Sequence, residues 1–373
     1  MEIEIGDQIS ALNEEEGKYM EGRVYKIKQN EAGETEYFIS FLNINKRFDN
    51  WLTKDQLDLR TLIKKSELKA KKSHGPNDIT AEQEESLKFL GLSRNIEFLR
   101  FGDYLMKAWY FSPFPEPYFN LETIYCCEFC MHFFATEDEY NDHCMKCTCT
   151  HPPGDEIYRK GHMSAYEVDG AFATRWCTNL CLITKLFLFH KTEYYNPTLF
   201  HFYVVCFHDS HGAHPCGFFS KEKDFNCPNN LACILAFPCY QGTGVGRFLI
   251  QLSYELSKIE HKPGGPETPL SDLGMLAYES YWKSSIMKVI IENEGRKLSI
   301  TDMVELTGMT ESDIKHGIAS GGLLARNERG EYCFAATKKQ VAEYKAKENK
   351  RKLHLDPRRI RWTPYPRAKK EGL

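Results

Sequence analysis

The chain has 373 residues, enough for two or three domains, and 42% of them are hydrophobic, a share typical of folded proteins. The net charge of −4 excludes a uniformly polycationic protein. No run is long and apolar enough for a membrane helix, and the acidic segment 1–7 argues against a secretory signal peptide. We therefore expect a folded protein with neither feature.

The first 62 residues have the pattern of a small β-barrel. Alternating polar and apolar residues predict strands over 22–28 and 36–41, and a turn-like segment over 30–34 separates them. Residues 63–90 are polar and basic and show no strand alternation, so we expect a linker there.

Six of the 14 cysteines lie between Cys126 and Cys149, and the others are scattered through apolar segments. In a long chain without a signal peptide, this distribution favours reduced thiols over a disulfide framework. The dense cluster therefore indicates metal binding.

Four residues of this cluster follow the zinc-finger spacing Cys-x2-Cys-x12-His-x3-Cys: Cys127, Cys130, His143 and Cys147. Zinc prefers four nitrogen or sulfur ligands in a tetrahedron, and a site with all four positions filled is structural. Two alternatives remain: a set of buried free cysteines, or a ligand exchanged for Cys126, Cys144 or Cys149. Residues 137–142 between the ligand pairs are acidic where a DNA-reading helix is basic, so we interpret the finger as a brace for the fold.

Strand and helix signals alternate over residues 91–290. The pattern predicts a strand over 200–207 and a helical stripe over 179–188. Residues 299–335 read as helix, turn, helix and hairpin, and the tail from Lys338 onward is strongly basic. No internal repeat is visible.

The most informative stretch covers residues 231–247. It predicts one buried strand, a tight turn and a glycine-rich entry into a helix with an apolar face formed by Phe248, Leu249, Leu252 and Leu256. Outward backbone N–H groups and a helix N-terminus suit an anion. The spacing Gln-x-x-Gly-x-Gly differs from both common phosphate loops and resembles the pyrophosphate loop of acetyl-coenzyme A-dependent N-acetyltransferases. A glycine-rich turn without a ligand is the alternative.

Several segments together resemble the MYST family of histone acetyltransferases, in the family's order and spacing, over about residues 91–368. The first module resembles the chromo-barrel of one branch of that family, with residues 45–51 as its marker. The segments that carry the resemblance are 109–113, the zinc spacing, 151–159, 179–182, 185–188, 217–223, the loop from Gln241, 253–258 and 269–274.

The resemblance implies an α+β fold in five parts. These are a chromo-barrel (1–62), a basic linker (63–90), an N-terminal flank with the zinc finger (91–150), an acetyl-coenzyme A-binding α/β core (151–290), and a helix-turn-helix-like segment with a basic tail (291–373).

The resemblance also implies acetyl transfer from acetyl-coenzyme A to lysine ε-amines of nucleosomal histone tails. The family's general base matches Glu267, and its cysteine near the thioester matches Cys233. Cys233 is either an acyl-carrying nucleophile or a small packing residue. We favour packing and direct attack, because no thiolate-stabilising neighbour is visible in the sequence.

The family match further assigns the cofactor contacts. Lys191 matches the lysine that the family acetylates on itself. Main-chain groups of one strand would hold the pantetheine arm, the loop would wrap the pyrophosphate, and two serines would touch the cofactor. These residues are Ile234, Leu235 and Ala236; Gln241, Gly242, Thr243, Gly244, Val245, Gly246 and Arg247; and Ser271 and Ser280.

Two departures from the family pattern change expectations. Gly242 and Thr243 stand where the family usually carries two basic residues, so we expect weaker cofactor binding by side-chain charge while the backbone cradle is kept. Ile44 replaces an aromatic residue of the chromo-barrel, and a methylammonium is held poorly without the ring.

The expected partners are histones and nucleosomes, further subunits of a multiprotein acetyltransferase complex, and nonspecific DNA, in the nucleus and in transcription regulation. Two other functions are alternatives: a non-enzymatic chromatin-binding module with a degenerate core, and a sequence-specific DNA-binding protein. The intact Glu267, Cys233 and glycines favour the enzyme, whereas the altered loop favours the non-enzymatic module. The acidic finger helix and the lack of a basic recognition helix over 311–320 count against DNA reading.

Overall fold

The structure is a computed structural model that describes residues 3–13, 16–30, 33–42, 48–64, 94–188, 196–326 and 330–364. The chain divides into two compact units. The first comprises residues 1–125, 134–137 and 182–191, and the second comprises residues 126–133, 138–181 and 192–373. Most of the predicted linker, Ile44 and Lys191 lie outside the described residues. Within the described ranges, none of the helices combines the length and apolar character that crossing a membrane requires.

In the first unit, the N-terminal module is a five-stranded antiparallel sheet in the order β4-β3-β2-β1-β5. Buried and partly exposed residues alternate along the first strand, whereas residues 37–41 of the third strand are all buried. The core of this module contains Ile9, Val24, Ile39 and Phe41. The strands are β1 (Gln8–Asn13), β2 (Lys18–Gln29), β3 (Thr35–Phe41), β4 (Asn50–Thr53) and β5 (Leu57–Ile63). The strands predicted over 22–28 and 36–41 are therefore confirmed.

A second, four-stranded sheet follows in the order β7-β6-β8-β9. Its strands are β6 (Ile96–Phe101), β7 (Tyr104–Lys107), β8 (Leu121–Cys126) and β9 (Phe133–Phe134). A short helix, α1 (Glu137–Cys144), comes next along the chain. This helix carries the acidic residues that separate the two pairs of predicted zinc ligands.

The core of the second unit is a five-stranded antiparallel sheet in the order β10-β11-β12-β13-β15. Helix α2 (Thr174–Lys185) connects β11 to the segment before β12. The strands are β10 (Asp155–Lys160), β11 (Met163–Asp169), β12 (Phe200–His208), β13 (Ala213–Glu222) and β15 (Cys233–Ala236). The predicted strand over 200–207 is confirmed, and the helix predicted over 179–188 begins earlier and ends at Lys185.

The prediction of one continuous strand over residues 231–237 is wrong. The segment is divided into β14 (Asn229–Leu231) and β15, which belong to different sheets. The division falls at Ala232, whose N–H donates to Ser220 O at 2.8 Å, while Cys233 takes up the register opposite Ser220. β14 instead pairs in parallel with β16 (Gly265–Pro266). Apolar periodicity cannot reveal this change of partner, because residues 231–237 form one uninterrupted apolar run across the division.

Helix α3 (Val245–Ile259) packs its apolar face on the sheet. The four residues predicted for this face, Phe248, Leu249, Leu252 and Leu256, are all buried. Truncating such a side chain to alanine typically costs about 2–5 kcal/mol. The long helix α4 (Asp272–Glu292) shares a second core with α3 and the C-terminal segment.

The C-terminal segment has the predicted order of helix, turn, helix and hairpin. Ser299 and Thr310 cap its first two helices with their side chains, as their positions before helical runs predict. The elements are α5 (Ile300–Thr307), α6 (Glu311–Gly321), β17 (Leu324–Arg326), β18 (Tyr332–Phe334) and α7 (Lys338–Lys350). The hairpin tip at residues 327–329 lies outside the described residues.

Candidate functional site

The four predicted zinc ligands form one cluster. Their donor atoms all lie within 4.8 Å of one another. Cys127 Sγ lies 3.9 Å from Cys147 Sγ, and Cys130 Sγ lies 3.3 Å from His143 Nε2. A zinc tetrahedron with Zn–S bonds of about 2.3 Å separates its sulfur atoms by about 3.8 Å. The cluster therefore has the size and the donor set of a closed zinc site.

Local backbone structure directs these ligands to one point. Cys127 N–H donates to His132 O at 2.9 Å, which closes the turn that carries the first two thiols. His143 lies in α1, as predicted. Cys147 lies just beyond the end of the helix, but its N–H still donates to His143 O at 2.8 Å, so the helical spacing of the last two ligands is kept.

The neighbouring cysteines lie outside this cluster. Cys126 is buried, whereas Cys144 and Cys149 are exposed. Hydrogen bonding to Cys130 and burial raise the pKa of the Cys127 thiol. Crowded thiols favour the neutral form in this way until a cation binds, and a coordinated Zn²⁺ reverses the effect because it stabilises the thiolate.

Helix α2 anchors the finger turn through residues that belong, like the turn, to the second unit. Trp176 Nε1 donates to Phe129 O at 2.9 Å, and Asn179 Nδ2 donates to Met131 O at 2.9 Å, both from helix α2. These bonds satisfy backbone carbonyls of the finger turn. The finger is therefore built into the fold, in agreement with its interpretation as a brace.

A second anchor joins the finger turn to the β12–β13 hairpin through a histidine. His214 Nδ1 lies 3.0 Å from Glu128 Oε2, and His214 Nε2 lies 2.8 Å from Asp209 Oδ1. Burial lowers the pKa of His214, but the two carboxylates outweigh burial and the net shift is upward. His214 therefore bridges two acidic side chains.

The glycine-rich loop leads into α3 as predicted. Gly242 and Gly244 have φ of 74° and 100°, and Gly244 is the N-cap of the helix. A Cβ atom at Gly242 or Gly246 would meet nothing within 4 Å, so the backbone there is open to an incoming group. The first N–H groups of a helix have no intrahelical partner. The loop therefore fits a pyrophosphate through its main chain.

Strand β15 forms the edge of the central sheet. Among the described strands it pairs only with β13, with Ile234 opposite Phe219 and Ala236 opposite Gly217. The outer N–H and C=O groups of an edge strand can accept an added strand-like group. This edge fits the amide-bearing pantetheine arm predicted for Ile234, Leu235 and Ala236.

Cys233 begins this edge strand. Its side chain is half-buried, and its N–H donates to Ser220 Oγ at 3.2 Å. Ser220 is fully buried, and sequence reasoning included it in a motif without giving it a role. The sequence feature that points to such a role is a serine within an apolar strand, because a buried hydroxyl requires a hydrogen-bond partner.

A main-chain contact ties Glu267 to the segment just before Cys233. Glu267 N–H donates to Leu231 O at 2.8 Å, which continues the pairing of β14 with β16. Leu231 is two residues before Cys233 in the chain, and the Glu267 side chain is exposed. The backbone of Glu267 is therefore bonded to the chain two residues before Cys233.

The predicted cofactor serines both belong to helix α4. Ser271 is its N-cap, and its Oγ accepts from Gly274 N–H at 3.1 Å. Ser280 is exposed and lies further along the same helix. The structure thus gives Ser271 a capping role in addition to the predicted contact.

The Arg247 side chain contacts helix α4, although the family match assigns this residue to the pyrophosphate loop. Its guanidinium lies 5.0 Å from the centre of the Tyr281 ring, and Nη2 donates to Ser284 Oγ at 3.1 Å. It lines a cavity of about 240 Å³ between α3, α4 and α7. These contacts place the guanidinium against α4, and the pyrophosphate contact of Arg247 stays a prediction.

A coenzyme-binding α/β core, braced by a zinc finger ahead of it and a helix-turn-helix-like segment behind it, defines the class of this protein. Residues 151–360 match the MOZ/SAS family, residues 93–147 match the MYST family zinc finger domain, and residues 3–59 match a domain described as the RNA binding activity-knot of a chromodomain. The chain belongs to the MOZ/SAS family.

Curated relatives agree with this membership. "Histone acetyltransferase esa1" of Emericella nidulans is 42% identical over 275 residues, covering 73% of this chain and 54% of that protein. "Histone acetyltransferase of the MYST family 2" of Arabidopsis thaliana is 37% identical over 366 residues, covering 92% and 80%. "Histone acetyltransferase mst1" of Schizosaccharomyces pombe is 32% identical over 414 residues, covering 91% and 89%. The match thus spans about half the length of the Emericella relative and most of the other two.

These findings confirm the predicted family, the fold class and the structural zinc finger. Acetyl-coenzyme A is the cosubstrate of MYST acetyltransferases, so the predicted cosubstrate agrees with the family. The relatives named above are acetyltransferases by name, and none of these findings favours the non-enzymatic alternative.

Proposed function

We propose that this protein is a lysine acetyltransferase that transfers the acetyl group of acetyl-coenzyme A to ε-amines of histone tails. The observation that carries the proposal is the main-chain bond from Glu267 N–H to Leu231 O, which ties the backbone of Glu267 to the residue two positions before the edge strand β15. The names of the relatives, all histone acetyltransferases, support the substrate class.

We assign Glu267 the role of general base. A lysine with a pKa of about 10.4 is almost fully protonated at neutral pH, and an ammonium has no lone pair for attack. The exposed carboxylate of Glu267 would accept that proton. Acetyl-coenzyme A, when bound, supplies the activated acetyl thioester that the free amine attacks.

Main-chain groups are assigned to the cofactor. The edge of β15 at Ile234, Leu235 and Ala236 would hold the pantetheine arm, and the open backbone at Gly242 and Gly246 would hold the pyrophosphate. Since Gly242 and Thr243 carry no charge, phosphate binding would depend on backbone N–H groups and the N-terminus of α3. Ser271 and Ser280 remain proposed contacts.

Cys233 is assigned a packing role beside the reacting groups, with direct attack by the lysine amine. Its main chain is tied to Ser220, and its half-buried side chain begins the edge strand. The zinc ligands are assigned as Cys127, Cys130, His143 and Cys147, which is supported by their 4.8 Å cluster. Lys191, outside the described residues, stays the proposed autoacetylation site.

The proposed setting is chromatin. We propose nucleosomal histones as substrates, further subunits of a multiprotein complex as partners, nonspecific contact with DNA, and a nuclear location with a role in transcription regulation. These follow from the named function of the relatives and from the basic residues of the C-terminal segment.

Glu267→Gln tests the proposed function, because it keeps the shape of the side chain and removes proton acceptance. We expect the rate of acetyl transfer to a lysine peptide to fall by about two or more orders of magnitude at neutral pH and to recover as pH rises and the free amine accumulates. Transfer of labelled acetyl measures the rate. Glu294→Gln, an exposed glutamate distant in sequence, is the matched control. A wild-type rate for Glu267→Gln at pH 7 rules out the assignment.

A further inference from the structure

Residues 264–267, which we call the Glu267 loop, are held from two sides. On one side, β16 pairs with β14 and Glu267 N–H donates to Leu231 O. On the other side, Gly264 N–H donates to Gly308 O at 3.1 Å, and Gly264 forms a β-bridge with Met309. The second contact comes from the turn between α5 and α6. The loop with the proposed base is therefore clamped between the core and the helix-turn-helix-like segment.

Asp313, in the first turn of α6, lies against Gly265 of this loop. A Cβ atom at Gly265 would lie 2.6 Å from Asp313 Oδ2 and 3.5 Å from Thr310 Cγ2. The backbone of Gly265 is outside the left-handed region, so a side chain there is excluded by these neighbours and not by its own φ. The Asp313 carboxylate thus occupies the space where any other residue at 265 would place its side chain.

Hydrogen bonds support the Asp313 carboxylate and the helical turn that carries it. Trp282 Nε1 donates to Tyr254 OH at 2.8 Å, and Tyr254 OH donates to Asp313 Oδ2 at 3.4 Å. Asp313 N–H donates in turn to Thr310 Oγ1 at 3.1 Å, the N-cap of the helix. Tyr254 is fully buried and Trp282 is almost so. The Asp313 side chain is therefore held against Gly265 by its contact with Tyr254 and by the capped first turn of α6.

Helix α6 of the helix-turn-helix-like segment packs against the protein's own core. In DNA-binding helix-turn-helix proteins, the second helix enters the major groove. Here Ile314 and Gly317 of α6 are buried, and a Cβ atom at Gly317 would lie 2.7 Å from Ile286 Cδ1 of α4. The first turn of α6 faces the Glu267 loop. The helix is therefore engaged by the protein's own core and by the proposed active site.

We propose that Asp313 is a positioning residue for acetyl transfer: its carboxylate sets the position of the Gly265 backbone and thereby that of the Glu267 side chain. The inference rests on the proposed function of Glu267. A general base works within about 2.6–3.2 Å of the proton it accepts. A displacement of about 1 Å can reduce the rate about 100-fold. The helix-turn-helix-like segment is thereby part of the acetyl-transfer machinery.

A double-mutant cycle between Gly265 and Asp313 tests the proposal in the full chain. Gly265→Ala should lower kcat for a lysine peptide about tenfold or more, with KM for acetyl-coenzyme A and the calorimetric Kd of coenzyme A changed less than about twofold. Asp313→Ala should lower kcat in the same way, because the loop loses its support. The combined variant should have a kcat at least about threefold higher than that of Gly265→Ala, since the new methyl group fills the space that the Asp313 side chain leaves.

Two further measurements separate positioning from a general loss of stability. Asp313→Asn keeps the shape and an acceptor for Tyr254, so it should retain most of the wild-type kcat. Hydrogen exchange should report faster opening of the Glu267 amide in Asp313→Ala than in wild type. Asp313→Ser replaces Asp313→Ala in the cycle if the alanine variant does not fold, as judged by its Tm.

The matched control is Glu311→Ala, on the same turn of α6, whose exposed carboxylate lies 2.7 Å from Lys315 Nζ. It should leave kcat and the hydrogen exchange of the Glu267 amide unchanged. Added to Gly265→Ala, it should not change the kcat of that variant. A combined Gly265/Asp313 variant no more active than Gly265→Ala, or wild-type kcat in Asp313→Ala, overturns the proposal while the role of Glu267 stands. If wild-type protein transfers no acetyl, or Glu267→Gln transfers at the wild-type rate, the proposed function fails and this inference fails with it.

Discussion

At the scale of single residues, backbone contacts decide which side chains meet. Glu267 and Cys233 lie 34 positions apart in the chain, and one main-chain bond ties Glu267 to Leu231, two residues before Cys233. Asp313 is a further 46 positions away and reaches the same loop through the space left by a glycine. The chemistry of the site therefore depends on long-range pairings and on the absence of a side chain at Gly265.

Replacement of Cys233 distinguishes the two roles weighed for it. Since we assign it to packing and direct attack, Cys233→Ala should retain a substantial part of the wild-type kcat, within about tenfold. Steady-state transfer and intact-protein mass spectrometry measure the outcome. Cys333→Ala, in the β17–β18 hairpin, is the control for loss of a half-buried thiol. An acetyl group trapped on Cys233 that chases into product would instead establish a ping-pong mechanism.

At the scale of secondary-structure elements, the zinc finger is coupled to its neighbours by backbone anchors. Helix α2 donates two side-chain hydrogen bonds to carbonyls of the finger turn. His214 adds a bridge between the turn and the β12–β13 hairpin. Loss of the metal should therefore loosen more than the finger itself.

Metal removal or ligand replacement tests this coupling. We expect about one zinc per chain, and Cys127→Ser or His143→Ala should lower Tm, because metal binding contributes to folding free energy. Metal analysis and thermal denaturation measure both effects. Cys144→Ser, an exposed cysteine on α1 outside the cluster, should retain the zinc and the wild-type Tm. Folded protein without zinc contradicts the assignment.

At the scale of the whole molecule, the distribution of charge is polarised. The chain carries a net charge of −4, yet basic residues concentrate in α7 and the segment after it. Lys350 and Lys352 are exposed there, as a phosphate-binding surface requires. Arg351 between them is different: it lies 2.9 Å from Glu348 and 3.2 Å from Ser284 Oγ, so it supports the fold.

Activity on nucleosomes should distinguish the exposed lysines, which we expect to contact phosphate, from Arg351, which supports the fold. Lys350→Gln with Lys352→Gln should lower activity on nucleosomes more than on a free tail peptide, and the gap should narrow as salt rises, because phosphate contacts release counterions. Arg351→Gln, the control, should lower Tm and affect both substrates alike. Rates on the two substrates at several salt concentrations measure the difference. Equal losses on both substrates for the lysine pair would mean that these residues support the fold and do not dock the nucleosome.

The sequence by itself determined the family, the order of the parts, the zinc ligands' spacing and the glycine-rich entry into α3. These features are local: ligand spacing, turn chemistry and apolar periodicity act over a few residues, so they can be read along the chain. The capped starts of α5 and α6 belong to the same group, since Ser299 and Thr310 bond within their own first turns.

Only the tertiary structure decided where that local chemistry is placed. The strand predicted over 231–237 divides because its two halves find different partners, β16 and β13. The guanidinium of Arg247, a residue that the family match assigns to the pyrophosphate loop, contacts Tyr281 and Ser284. Arg351, in the basic tail, pairs with Glu348. Such outcomes depend on which distant surfaces pack together, and a hydrophobic run or a charged residue has the same local pattern whichever partner it finds.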